Sequence, residues 1–187
     1  MINNFTFILP NLGNQASVRA CFEKLGLAEN QKIKRDTVVV INGVGHIDQI
    51  LDTLRGKADI LSDHLSNGGT VVGICLGMQA FMKWNEEAKS GKGIPWYEGR
   101  VTKISKGVNV GFRDLHGKDD KTRVYFQNLY GLLDNSFASS ITSKQLYTVG
   151  GTNYVAAFSD DNFHGFQYHP ELSGACGLNI LKGTLGI

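Results

Sequence analysis

The sequence predicts an α/β fold, a doubly wound and mostly parallel sheet with an antiparallel β extension in the C-terminal half. Three observations carry this. Continuous apolar runs such as Thr37-Val38-Val39-Val40-Ile41 read as strands buried on both faces, which is the habit of parallel sheets. Over the first half of the chain these runs alternate with helical apolar patterns. After about Gly91, short β-prone runs separated by turn residues replace that alternation.

Each element follows in order. Residues 5–9 are expected to be a first strand, and residues 10–14 a loop. Residues 17–25 form a helical pattern with Val18, Cys21, Phe22 and Leu25 on one face, stopped by Gly26. The strand at residues 37–41 ends in the loop Asn42-Gly43-Val44-Gly45. Two helices are expected near residues 48–54 and 58–65, then a strand through Thr70-Val71-Val72. A further helical pattern opens after Cys75 and continues through Phe81 and Met82. The β-prone runs are residues 100–104, 108–112, 123–126, 145–149, 155–158 and 163–168. Residues 173–185 close the chain as a helix with Leu178, Leu181 and Leu185 on one face.

The chain has 187 residues, which suits one domain over residues 1–187 with a full core. A net charge of +2 gives no electrostatic reason to expect nucleic acid or a membrane surface as partner. The mixed-sign run Lys118-Asp119-Asp120-Lys121 reads as a solvated turn. No apolar stretch is long enough to span a bilayer, and Met1-Ile2-Asn3-Asn4 does not start a signal peptide. Three separated cysteines form neither a CxxC pair nor a disulfide framework, so a reduced, cytoplasmic protein is expected. Histidine spacings make no metal site.

The chemistry is concentrated in Gly73-Ile74-Cys75-Leu76-Gly77-Met78-Gln79. A cysteine at a strand-to-helix turn, with glycine two residues to either side, has the pattern of a nucleophile elbow. A nucleophilic thiol needs a base, and the base an orienting group. His169-Pro170-Glu171 offers both, because residues i and i+2 of extended chain share a side. Acyl transfer also wants two N–H donors aimed at the developing oxyanion. The Leu76 amide, just after Cys75, is one candidate, and the Gly43-Val44-Gly45 loop can supply the other.

These segments resemble the triad-type (class I) glutamine amidotransferases, and among them the glutaminase subunit of imidazole glycerol phosphate synthase. That family carries an elbow G-x-C-L-G-M-Q, a P-G-V-G loop, a terminal H-P-E and an early G-N-x-x-S-V. Here they stand as residues 73–79, Asn42-Gly43-Val44-Gly45, His169-Pro170-Glu171 and Gly13-Asn14-Gln15-Ala16-Ser17-Val18. The resemblance implies that Cys75 forms a γ-glutamyl thioester, with His169 shuttling protons and Glu171 orienting it. It implies an oxyanion hole from Gly43, Val44 and Leu76, and a glutamine clamp of Gln79 and Glu87 on the helix after the elbow. It implies L-glutamine as substrate, a (β/α)₈-barrel synthase as heterodimer partner that takes the ammonia, and no metal or organic cofactor.

The chain departs from the family at Asn42, where proline is usual, and at Leu172, where H-P-E is followed by lysine. The family's H-x-G-W-N and V-H-S-Y segments correspond to Asn109-Val110-Gly111-Phe112-Arg113 and Gln127-Asn128-Leu129-Tyr130. Two pathway readings therefore stand side by side. One is a histidine-biosynthesis subunit; the other is a paralogue supplying ammonia to amidinate a surface-polysaccharide sugar. A stand-alone thiol amidase shares the elbow but has no need of a clamp at Gln79 and Glu87. A non-catalytic module would be free to lose Cys75, His169 or Glu171.

Overall fold

The computed structural model describes residues 1–9, 13–105, 107–117, 122–137 and 141–187. The turn expected at Lys118-Asp119-Asp120-Lys121 and the first part of the 10–14 loop lie outside these.

The main sheet has seven strands. In chain order they are β1 (Asn4–Phe7), β2 (Ala28–Glu29), β3 (Thr37–Gly43), β4 (Thr70–Cys75), then β10 (Ser143–Val149), β11 (Thr152–Asp160) and β12 (Phe163–Phe166). Their spatial order is β10-β11-β12-β4-β3-β1-β2. All pairs from β12 to β2 are parallel, and β10-β11-β12 are antiparallel. The parallel body and its antiparallel extension are as the sequence predicts. Every residue of β3 and β4 is buried, which explains their unbroken apolar runs.

The helices are α1 (Gln15–Lys24), α2 (Ile47–Arg55), α3 (Ala58–Ser66), α4 (Leu76–Gln79) and α5 (Gly174–Leu185). On α2, Ile47, Ile50, Leu51 and Leu54 form one buried stripe, as an amphipathic helix against a sheet requires. On α3, His64 is buried, and its Nε2 meets the carbonyls of Thr37 (3.0 Å) and Thr70 (3.3 Å). That histidine fastens the helix to the starts of β3 and β4.

Two smaller features depart from the sequence expectation. The pattern through Phe81 and Met82 is not helical. It becomes β5 (Met82–Asn85), paired with β6 (Tyr97–Lys103), and β6 pairs in turn with β9 (Tyr130–Leu132). The reason is tertiary capture: Ile94 and Tyr97 donate to the carbonyls of Ala80 (2.7 Å) and Phe81 (3.1 Å). Those carbonyls bond to non-local donors, and long-range pairing overrides local propensity. The short β2 was also missed. The remaining two strands, β7 (Asn109–Asp114) and β8 (Arg123–Asn128), form an antiparallel hairpin.

The strand order 2-1-3-4 places the reversal of winding between β1 and β3. In sheets of this kind, sites form outside the carboxyl ends of the strands. Four chain segments leave the sheet at that edge: Gly13 and Asn14 after β1, Val44 and Gly45 after β3, Leu76 after β4, and residues 167–171 after β12.

Candidate active site

Cys75 ends β4 with φ 55° and ψ −110°, a backbone state that side-chain-bearing residues rarely hold outside functional turns. The turn closes because both flanking positions lack a Cβ. A Cβ on Gly73 would stand 2.8 Å from the Gly77 carbonyl oxygen, and one on Gly77 only 1.8 Å from the Ile41 carbonyl oxygen. The elbow glycines are therefore a steric requirement. A nucleophile elbow would be expected to hold its thiol out into open space, but Cys75 is only 4% exposed. It opens only into a cleft of about 200 Å³ lined also by Val44, Gly45, Leu76, Gln79, Glu87 and residues 127–130.

His169 and Glu171 meet as predicted, though not by extended chain. Residues Pro170–Leu172 form a single 3₁₀ turn with proline at its start, a position proline suits because its ring presets φ. That turn brings Glu171 back onto the ring, and His169 Nδ1 donates to Glu171 Oε1 at 2.7 Å. Both side chains are almost wholly buried. The backbone of His169 is held separately. Its amide donates to the Tyr125 carbonyl (2.8 Å), and Ser173 Oγ donates to its carbonyl (2.7 Å) while accepting from the Tyr125 amide (2.9 Å). Burial opposes the imidazolium, but the neighbouring Cys75 and Glu171 outweigh it and hold the His169 pKa above its ordinary value. With Nδ1 committed to the carboxylate, Nε2 is the nitrogen left for Cys75, and it makes no good hydrogen bond among the described residues.

Of the predicted oxyanion residues, Gly43 pairs with Cys75 in the β3–β4 register, and Val44 and Leu76 line the cleft. A Cβ on Gly43 would sit 2.0 Å from Ile50 Cδ1 and 3.2 Å from Leu76 Cβ, so a larger residue there would force the Ile50 side chain on α2 to move.

Gln79 and Glu87 both line the cleft, but they do not share a helix, because α4 ends at Gln79. Gln79 is fully buried, and its Nε2 donates to the Tyr130 carbonyl (2.9 Å) and to Gln167 Oε1 (2.8 Å). Gln167 Nε2 in turn reaches Cys75 Sγ at 3.8 Å. Glu87 follows β5 in a turn anchored by its amide bond to Asn85 Oδ1 (3.0 Å). Its Oε2 is buried without a partner among the described residues. Burial raises its pKa, against the opposing pull of His46 and the Ile47 amide. A buried carboxylate oxygen without a partner among the described residues, on a residue that lines a cleft, favours a cation as its ligand.

Sequence reading assigned no role to Gln167, Ser173 or Asn14. Gln167 stands two residues before His169, and period-two alternation was an available signal for it. Asn14 reaches the site only through strand order, whereas Ser173 stands four residues after His169 and donates to its carbonyl. Among the departures, Asn109 and Asn128 are both buried and bond to each other, Nδ2 to Oδ1 at 2.9 Å. Asn128 Nδ2 also donates to the Tyr130 carbonyl (2.8 Å) and Tyr147 (3.2 Å). Two replaced segments thus answer one another in a single polar network. A larger cleft, about 960 Å³, lies at the opposite edge of the sheet beside Lys34, Arg35 and Asp36; it holds none of these groups.

The model of class-I glutamine amidotransferases matches residues 9–182. The chain belongs to that family. It is a glutamine amidotransferase, with an elbow cysteine and a buried histidine–carboxylate pair at one sheet edge. It is 31% identical to imidazole glycerol phosphate synthase subunit HisH of Chlorobium luteolum, over 91% of this chain and 93% of that one. It is also 31% identical to the protein of that name from Carboxydothermus hydrogenoformans, with the same coverage. A solved glutamine amidotransferase superposes with a TM-score of 0.70 at 14% identity, over 98% of this chain and 99% of the other. The structure of PurLQS from Thermotoga maritima gives 0.68 at 15%, over 99% and 98%. At such identities the two structures speak to the fold alone. No helix among the described residues is long and apolar enough to cross a membrane.

Proposed function

We propose that residues 1–187 act as one domain, the glutaminase half of a cytoplasmic imidazole glycerol phosphate synthase heterodimer in histidine biosynthesis. One observation carries the substrate: the cleft lined by Cys75 is also lined by Glu87, whose buried Oε2 has no partner among the described residues. A thiol for the side-chain amide and an anion for the α-ammonium group match the two ends of L-glutamine. The relatives named HisH support the pathway.

The steps follow from the residues. Cys75 Sγ adds to the amide carbon while its proton passes to His169 Nε2, and the C=O electron pair moves onto oxygen. The N–H groups of Val44 and Leu76 receive that oxyanion. Collapse expels ammonia, which takes the proton from His169, and leaves the γ-glutamyl thioester. His169 then takes a proton from water, whose oxygen attacks the thioester. Glutamate leaves and the Cys75 thiol is regenerated. Glu171 keeps the ring in the Nδ1–H tautomer throughout. The ammonia goes to a (β/α)₈-barrel synthase subunit, and the chemistry calls for no cofactor.

The test is glutamate production by the chain with its barrel partner. Cys75→Ala is expected to lower it by about a thousandfold or more, and unchanged turnover would end the assignment. Leu172, about one-third exposed where the family carries lysine, favours a second reading in which the barrel is that of a polysaccharide-amidinating paralogue. Reconstitution with each type of barrel separates the two, since only the true partner yields coupled ammonia transfer.

A further inference from the structure

We propose that Asn14 is a positioning residue of this site, holding the Glu171 carboxylate in line with His169. The inference rests on the triad reading above. Asn14 Nδ2 donates to Glu171 Oε1 at 2.8 Å, the same oxygen that accepts from His169 Nδ1 at 2.7 Å. The amide is oriented by chemistry, since its own oxygen turned to a carboxylate would be repelled. Two donors converging on one oxygen fix the carboxylate both in rotation and in distance from the ring.

What Asn14 gives up shows that this contact is not incidental. It occupies the N-cap of α1, where its backbone carbonyl accepts from Ser17 (3.1 Å) and Val18 (3.3 Å). Asparagine is among the best residues for that position because its side-chain oxygen accepts from the first-turn amides. Here the side chain makes no capping bond. Its Nδ2 is turned away to Glu171, 157 residues along the chain, and its Oδ1 is buried with no partner among the described residues. The helix forgoes its side-chain capping bond and the protein tolerates a buried unpaired acceptor so that one donor reaches the carboxylate.

The segment is tied to the other half of the site as well. Gly13 has φ +81°, and a Cβ there would stand 2.9 Å from Asn42 Nδ2 and 3.4 Å from the Val44 amide nitrogen. The backbone at Gly13 therefore packs against the loop that carries a proposed oxyanion donor, while the next residue holds the proposed orienting acid. Asn14 is not among the described residues that line the cleft, so its removal should act on turnover and not on glutamine binding.

Asn14→Asp keeps the shape and can cap the helix, but removes the donor and sets a second carboxylate against the first. With the full chain and its barrel partner, kcat is expected to fall tenfold or more while KM for glutamine stays within twofold and Tm does not fall. Asn14→Ala lets the carboxylate swing, so the midpoint of the His169 imidazole titration, followed by NMR, is expected to drop. The titratable groups facing that ring are Cys75 on β4 and Glu171 on its own turn. Wild-type kcat in Asn14→Asp would overturn the proposal, as would a fall in kcat matched by an equal fall in Tm, which marks a packing role. If even the wild-type chain does not hydrolyse glutamine, the glutaminase reading fails. The His169 midpoint then still decides for Asn14, and an unchanged midpoint in Asn14→Ala overturns it.

Discussion

In the proposed function, substrate selection rests on a single side chain, Glu87. Its buried Oε2 has no protein partner among the described residues, and burial already raises its pKa. An ammonium group arriving beside it would complete a charge-assisted hydrogen bond, a stronger interaction than a neutral pair. Glu87→Gln keeps the volume and removes the charge. KM for glutamine is expected to rise about 10- to 100-fold with kcat within a few-fold, measured by steady-state glutamate release. Equal KM values would mean that the α-ammonium group is bound elsewhere. His169 shows the opposite sense of charge. Its pKa is raised, so its interactions with Glu171 and Cys75 favour the folded state fully below the unfolded value near 6.5 and are lost as pH rises toward about 10. At this scale the sequence was highly informative. Cys75, His169 and Glu171 stand in short motifs whose spacing carries their chemistry. Asn14 reaches Glu171 across 157 residues, and no local pattern encodes such a distance.

At the scale of elements, β12 joins the two halves of the sheet and contains a second histidine of interest. His164 Nδ1 pairs with Ser159 Oγ at 2.9 Å, and burial lowers its pKa to about 4. The unfolded chain protonates this ring below about 6.5, while the folded protein resists until about 4. Over that window a proton favours the unfolded state, so stability falls as pH falls. The loss is at most about 3–4 kcal/mol, from two and a half units at about 1.4 kcal/mol each. His164→Gln is expected to move the acid-unfolding midpoint, followed by circular dichroism, to lower pH. An unmoved midpoint would show that another group governs the acid limb. Elements with a clear period, such as α2, β3 and β4, were legible within a residue or two. The stretch 80–85 was misread as helix because its apolar residues suit either state, and hydrogen bonds from Ile94 and Tyr97 decide it.

At the scale of the whole molecule, sequence alternation foretold a parallel body with an antiparallel extension, but not the order of strands. That order sets β12, drawn from near the end of the chain, between β4 and β11. Removal of everything after Asn162 would therefore open the middle of the sheet. A fragment of residues 1–162 is expected to lack cooperative thermal unfolding and to aggregate, measured by calorimetry and light scattering. A soluble fragment that melts cooperatively would contradict this account of the core. The pairing of Asn109 with Asn128 makes a related point, since two departures that look unrelated in sequence form one buried contact in space.

The placement of β12 also fixes an order in time. Synthesis runs from the N-terminus, and domains tend to form in that direction. Cys75 is made long before His169, and the thiol is ready while its base has yet to be synthesised. Until β12 arrives, the exposed edge of β4 can pair with nothing that precedes it on that side, and contacts of such long range form slowly. On the proposed mechanism, a nascent chain that has not yet reached His169 carries its cysteine without a base, and glutamine hydrolysis has to wait for β12 to enter the sheet.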